Sequence, residues 1–301
     1  MTANVLGIDV GGTTIKGARF ADDWTVEAEV VTPTPATAAA LTEAVVETAA
    51  SLRTGDTVAV GLTAPGVVDR VAGIARYAVN VAWRDEPIRD VLAETTRLPV
   101  ALEHDVTAAA LAEADDPDDD VLFVSLGTGI AGVHVRGGTA ERGATGGAGE
   151  IGHIPVHPEG ETCVCGQIGC LEAYASASAI ARRYATRAGS ALTAEQIVGR
   201  LGADAHADAV WAEAVEALAL ACATDTMLND PATIVIGGGL ADAGDALLVP
   251  LRAELARRLV WRSAPPVMPA RLGARAGRIG AARLAWQLAG VRPARTTEGV
   301  R

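Results

Sequence analysis

Aromatic side chains make up only 3 % of the 301 residues, so the core has to be built from Ala, Val, Leu and Ile. Lysine is almost missing: Lys16 is the only one, and Arg carries nearly all the positive charge. That bias reads as coding composition rather than chemistry. Positive charge is also in deficit overall, with a formal net charge of −12. A nucleic-acid or acidic-membrane surface needs a basic patch, so this balance argues against both partners. There are four cysteines, three of them crowded between Cys163 and Cys170, which is too few for a disulfide scaffold of this length. No apolar run reaches the roughly 18 residues of a membrane span, and no basic segment followed by an apolar one opens the chain. These absences together predict a soluble, cytoplasmic protein with no nucleic-acid and no membrane partner.

What is present is a chain half of whose residues are hydrophobic, enough for one large or two ordinary domains. Residues 4–10 and 15–20 read as a hairpin around a Gly-Gly turn. A helix over 36–52 follows, then a buried strand at Thr57–Thr63 and a Pro-Gly turn at 65–66. A helix near 87–97 leads into the strand "LPVALEHD" and an Ala-rich helix over 106–114. The polar run "ADDPDDD" (114–120) is the candidate hinge or linker. After it the strand–turn–strand pattern restarts at Val121, and such near-repetition is the most informative long-range feature of the chain. Residues 143–172 read as irregular, and helices dominate from about 173 to 228. "ATIVIGGGLADAGDALLVPLRAELARRL" reads as strand, Gly turn and helix; another helix covers 276–289, and the last dozen residues read as frayed. Alternating strands and helices in two similar halves predict an α/β protein with its active site between the halves.

The two turns carry the first chemical signal. "LGIDVGGTTIK" (Leu6–Lys16) and "FVSLGTGIAGVHV" (Phe123–Val135) share one pattern. A glycine turn lets backbone N–H groups converge and lets a bulky anion approach without Cβ atoms in the way. Gly11 and Gly12 supply such a turn, Thr13 and Thr14 add hydroxyls, and Asp9 stands at the strand end where a carboxylate holds water on Mg²⁺. Gly127, Thr128 and Gly129 offer the same donors in the second copy. A plain tight hairpin is the competing reading of either turn alone. The P-loop signature is absent, and the dinucleotide fingerprint needs strand–turn–helix, whereas both turns here pass into a second strand. A third run, Gly237–Gly238–Gly239, opens a helix and could let an adenine or ribose lie flat against the backbone.

"VALEHDV" ends a strand with Glu103, His104 and Asp105 before a helix. Asp105 is either a base that accepts a hydroxyl proton as oxygen attacks phosphorus or the cap of that helix. As a base it is read as an ordinary, already ionised carboxylate. "GEIGH" (149–153) followed by "CVCGQIGCLE" (163–172) is more specific. Cys163, Cys165 and Cys170 with His153 or His157 make one His and three Cys, the donor set of a closed and therefore structural zinc site. Such a clip would fix Glu150 and Glu172, which can accept hydrogen bonds from vicinal hydroxyls. A disulfide is the rival reading, disfavoured in a cytoplasmic protein. Cys222, in an Ala/Leu helix, reads as core.

"GIDVGGT", "SLGTGI", "GAGEIGH", "CVCGQIGCLE" and "IVIGGGL" stand in the order and spacing that resemble the ROK family of sugar kinases and repressors, over Val5 to Ala289. That resemblance implies two actin/hexokinase-type (ribonuclease-H-like) α/β domains around a central cleft. One would comprise residues 1–115 plus 279–301, the other 116–278. It implies ATP-dependent, Mg²⁺-assisted transfer to the 6-hydroxyl of glucose or a related hexose, with Asp105 as base and a structural Zn²⁺. By the same carry-over Asn80, Glu150, His153 and Glu172 line the sugar pocket, His153 turning one ring nitrogen to zinc and the other to sugar. Homo-oligomers, dimers or tetramers, are common in such families. The sequence departs from the family pattern at His104, where Asn is usual, which leaves the base intact and bears on which sugar is taken. N-acetylglucosamine or another 2-acetamido-hexose is the alternative substrate, and polyphosphate the alternative donor. A sugar-sensing repressor is expected to carry a helix-turn-helix before the first turn, and too few residues precede Asp9 for one.

Overall fold

Strands β1 (Asn4–Val10) and β2 (Thr14–Ala21) pair antiparallel from Asn4↔Ala21 to Val10↔Ile15. One face of this hairpin is apolar: Ile8, Val10 and Ile15 are fully buried. The computed structural model describes residues 3–116, 118–144 and 146–291. Two compact units emerge, Met1–Pro117 with Ala274–Arg301 and Asp118–Gly273.

In the first unit β3 (Val26–Pro33) adds to β2, and α1 (Ala38–Leu52) starts at Thr37, whose hydroxyl accepts from the Ala40 N–H. Strand β4 (Thr57–Ala64) runs parallel to β1. A small sheet of β5 (Val67–Asp69), β6 (Ile74–Tyr77) and β7 (Arg84–Glu86) follows, then α2 (Ile88–Thr96), β8 (Val100–His104) and α3 (Asp105–Glu113). The main sheet has the order β3-β2-β1-β4-β8, and Leu6, Leu41, Val45, Leu62 and Trp83 fill its core.

The second unit repeats this plan. Strands β9 (Asp120–Leu126) and β10 (Ile130–Arg136) form an antiparallel hairpin, extended by β11 (Thr139–Ala140). Helices α4 (Glu172–Ala175), α5 (Ala177–Ala188), α6 (Ala194–Val198) and α7 (Ala205–Asn229) come next. The length of α7 follows from its alanine content, alanine being the best helix former, and Asp204 caps it on the N–H groups of His206 and Ala207. Then come β12 (Thr233–Gly237), α8 (Asp245–Arg258) and β13 (Val267–Pro269). The sheet order is β11-β10-β9-β12-β13, with β12 parallel to both β9 and β13. Helix α9 (Ala276–Leu288) belongs to the first unit, where it lies directly on β1 and β4. A Cβ on Gly61 would collide with the Ala281 carbonyl, so glycine is required for that approach.

The structure departs from the sequence reading in three places. Strand β3 and the small sheet β5–β7 are additional. The triple glycine opens a 3₁₀ turn over Gly239–Ala243, and the α-helix begins only at Asp245. The expectation of a frayed end over the last dozen residues lies, from 292 on, outside the described residues. Among the described residues no helix is long and apolar enough to cross a membrane.

Candidate active site

The residues singled out from the sequence fall in both units. In the first, Asp9 lies opposite Lys16 on β2 and Thr63 on β4. The Thr63 hydroxyl donates to Asp9 Oδ1 at 2.8 Å. A Cβ on Gly277 would stand 2.6 Å from the Asp9 carboxylate, so the first turn of α9 closes over this group. Burial holds the Asp9 pKa above the ordinary 3.8, opposed by the Thr63 hydrogen bond and the charges of Lys16 and Arg278. The turn beyond it closes on itself: the Gly11 N–H donates to the Thr14 carbonyl at 2.9 Å, and Thr34 Oγ1 donates to the Gly11 carbonyl at 2.6 Å. Gly11 therefore supplies shape rather than a free donor. The amides of Gly12 and Thr13 have no backbone partner among the described residues. Asn80 lies against Gly12, where a Cβ would stand 2.9 Å from its Nδ2.

Asp105 is the first residue of α3, and the capping position is taken by His104 without a side-chain cap bond. Asp105 Oδ1 accepts from the Val106 N–H at 2.7 Å and lies 3.2 Å from His104 Nε2. Both contacts fall on Oδ1, and Oδ2 carries neither. Burial raises the pKa of this carboxyl; the neighbouring His104 charge lowers it and that of Asp9 raises it again. The carboxyl is thus a stronger proton acceptor than the ordinary Asp expected from sequence.

In the second unit the Gly127–Thr128–Gly129 turn is held by the helices beneath it. The Gly127 N–H donates to the Gly129 carbonyl at 3.0 Å, the Ala177 N–H to the Gly127 carbonyl at 2.9 Å, and Ser178 Oγ to the Thr128 carbonyl at 2.9 Å. Glu172 Oε2 accepts from the Ile130 N–H at 2.8 Å, and a Cβ on Gly129 would stand 2.7 Å from that oxygen. Glu172 thus braces the turn with one carboxylate oxygen. Gly237 lies under the Phe123 ring, and Gly238 (φ 80°) sits against the Leu126 carbonyl; both are required by packing. Only Gly239 faces open space.

Residues 153–170 bring one imidazole and three thiols together. His153 ends a 3₁₀ turn begun after Glu150, and backbone bridges Pro155↔Cys170 and Thr162↔Ile168 fold the loop back. Ligand atoms of His153, Cys163, Cys165 and Cys170 all lie within 4.8 Å of one another, a group that could hold a metal ion. His153 Nδ1 is buried with no hydrogen-bond partner among the described residues, while Nε2 lies 3.8 Å from the exposed Glu150 carboxylate. A buried nitrogen without a partner costs energy unless something binds it, and a metal in this donor set would. His157, the other candidate ligand, packs its ring on Tyr174 at 4.4 Å. All four cysteines are free thiols, and burial pushes that of Cys222 up to about 12. Reading the sequence missed Thr63, the Ile130 amide and Gly277; only the register across β1 and β4 could have pointed to the first.

With this geometry in hand, comparison with known proteins is specific. The ROK family model matches residues 5–288. A glucokinase of Streptomyces coelicolor is 34 % identical over 307 residues, covering 93 % of this chain and 96 % of the relative. The crystal structure of a ROK hexokinase from Thermus thermophilus superposes with a TM-score of 0.86 at 34 % identity, covering 95 % of this chain and 99 % of that one. A ROK family glucokinase from Streptomyces griseus, in complex with glucose and AMPPNP, superposes with a TM-score of 0.80 at 34 % identity, covering 95 % and 100 %.

Proposed function

The chain belongs to the ROK family, and from that premise we propose that it is a kinase moving the γ-phosphoryl group of ATP to the 6-hydroxyl of glucose. The observation that carries the chemistry is Asp105, a half-buried carboxyl whose hydrogen bond from Val106 and charged contact with His104 both fall on Oδ1. Oδ2 accepts the 6-hydroxyl proton as that oxygen bonds to phosphorus and the bridging oxygen leaves with ADP. The His104 and Val106 contacts fix the carboxylate's rotation, so its free lone pairs keep one direction. The amides of Gly12 and Thr13 and the hydroxyls of Thr13, Thr14 and Thr128 are the phosphate donors in this reading; Gly11 and Gly127 shape their turns, and Gly239 is left open for the nucleoside. Asn80, Glu150 and the free oxygen of Glu172 receive sugar hydroxyls.

Two ions fit the residues present. Asp9, half-buried beside the first turn, would hold Mg²⁺ through water, and that ion neutralises phosphate charge when bound. His153, Cys163, Cys165 and Cys170 would hold zinc, and a closed His/Cys₃ set supplies structure, not catalysis. Within it the orphaned Nδ1 of His153 is the ligand and Nε2 the nitrogen left to Glu150 and the sugar. A cytoplasmic enzyme is consistent with this reading, since ATP is supplied there and thiols stay reduced.

A coupled ADP-release assay with ATP, Mg²⁺ and a panel of unmodified and 2-acetamido hexoses tests the proposal. Turnover is expected with glucose. Turnover confined to 2-acetamido sugars would reassign the substrate, and ADP release with none of them would end the proposal.

A further inference from the structure

His157, the imidazole that the His153 and cysteine set leaves out, belongs to a second cluster at the start of the same loop. Its ring lies 4.4 Å from that of Tyr174, and the Arg183 guanidinium lies 4.5 Å from the same ring. Tyr174 Oη accepts from the Glu161 N–H at 2.7 Å, and a Cβ on Gly160 would collide with that oxygen. Arg183 forks between the Glu161 and Glu213 carboxylates. Arg182 reaches Glu161 at 2.6 Å and donates to the Ala173 carbonyl at 3.0 Å, and Arg187 reaches Glu213 at 2.7 Å. The segment from His157 to Glu161 is thus tied to α4, α5 and α7 at once.

Helix α4 needs such ties. It spans only four residues and its start has no side-chain cap, and a single helical turn does not hold itself. It carries Glu172, the brace of the second turn, and, two residues on, the buried Tyr174. Arg183 is 9 % exposed, so its charge is out of water and is tolerated because two carboxylates and an aromatic face receive it. A planar, forked cation can meet all three partners together, which an ammonium cannot.

We propose that Arg183 is a positioning residue for sugar binding, gripping Tyr174 and Glu161 so that α4 keeps the Glu172 carboxylate in place. This rests on the kinase reading above, in which Glu172 takes a sugar hydroxyl. Arg183 moves no proton and acts through α4, on binding rather than on the chemical step.

Kinetics of four variants test it. Arg183→Met is expected to raise the KM of sugar and of ATP by about tenfold, as loss of the support behind a ligand does, with kcat within about twofold. Arg183→Lys keeps the charge without the fork and should fall between Arg183→Met and the wild type. In a Glu172→Ala background, Arg183→Met should change either KM by no more than about twofold, because the group it positions is gone. Should Arg183→Met fail to fold, Glu161→Gln, altered at a half-buried partner, carries the same test with an expected rise of about threefold. Calorimetric titration with glucose should give the same order without turnover. The inference is overturned if a folded Arg183→Met or Glu161→Gln variant loses melting temperature while both KM values stay within about twofold, the mark of a merely structural role. It is equally overturned if the Arg183 and Glu172 effects multiply in the double variant. A wild type that neither turns over nor binds any hexose would bring down the kinase reading and this inference with it; an active wild type tests Arg183 alone.

Discussion

The turn after β1 and the turn after β9 are built on one plan and equipped differently. Each joins an antiparallel hairpin whose first strand also pairs with a parallel neighbour, and each spends the N–H of its first glycine on closing itself. At the strand end before the turn the first unit has Asp9, opposite Thr63; the second has Ser125, opposite Gly237. The carboxyl groups near the first turn, Asp9 and Asp105, are pushed up in pKa by burial. The carboxylate at the second, Glu172, is a brace on the Ile130 amide. The same supersecondary unit has half-buried carboxyls of raised pKa beside it in one copy and a bracing carboxylate in the other, and the residue at the strand end differs between them.

That contrast makes the first unit the place where one atom matters most. Asp105→Asn removes the proton acceptor and keeps the size, so kcat should fall at least roughly a hundredfold with sugar affinity held, as steady-state kinetics would show. Near-normal turnover would reduce Asp105 to a residue of the helix start. In the second unit the largest effect is expected through the loop: Cys165→Ser should release the metal, seen by elemental analysis, and raise sugar KM by about tenfold or more. Metal-free wild type would remove the clip. Glu172→Ala should sharpen the comparison, because it strips both the brace and a sugar contact. It should raise the KM of ATP and of sugar together, whereas a pure sugar ligand would move only the latter. Leaving the Ile130 amide without its acceptor also costs about 1–3 kcal/mol, readable in urea unfolding.

The smallest effect concerns pH, and its sign follows from burial. The folded pKa of Asp9 and Asp105 lies above the unfolded value near 3.8. The native state therefore binds more protons than the unfolded one between these values, and stability rises as pH falls through that window. Turnover moves the opposite way: kcat/KM should fall as Asp105 is protonated, with an acid limb above pH 3.8. For the same reason Asp9→Asn, which keeps an acceptor for Thr63, should raise the apo Tm by about 2 °C while impairing turnover. A lowered Tm would show that the Asp9 charge is favourably held.

Much of the plan was readable without coordinates. Hairpins around glycine turns, the Ala-rich helices and the Cys/His loop announce themselves through local periodicity and spacing. Strand β3 was missed because it is a sheet edge, mostly exposed, and its alternation of Val26, Ala28 and Val30 with Glu27 and Glu29 is short. The short strands β5–β7 are too brief for any period to register.

The amino-acid order by itself determined the repeat, the donor set of the Cys/His loop and the identity of the acid before the first turn, because each is a matter of residue types at short spacings. Tertiary structure alone decided which oxygen of Asp105 is spent on His104 and Val106, that Glu172 props the second turn, and that His153 rather than His157 joins the thiols. These depend on distances of about 3 Å between elements far apart in the chain or on a side chain's rotation, and hydrogen bonding is sensitive to both.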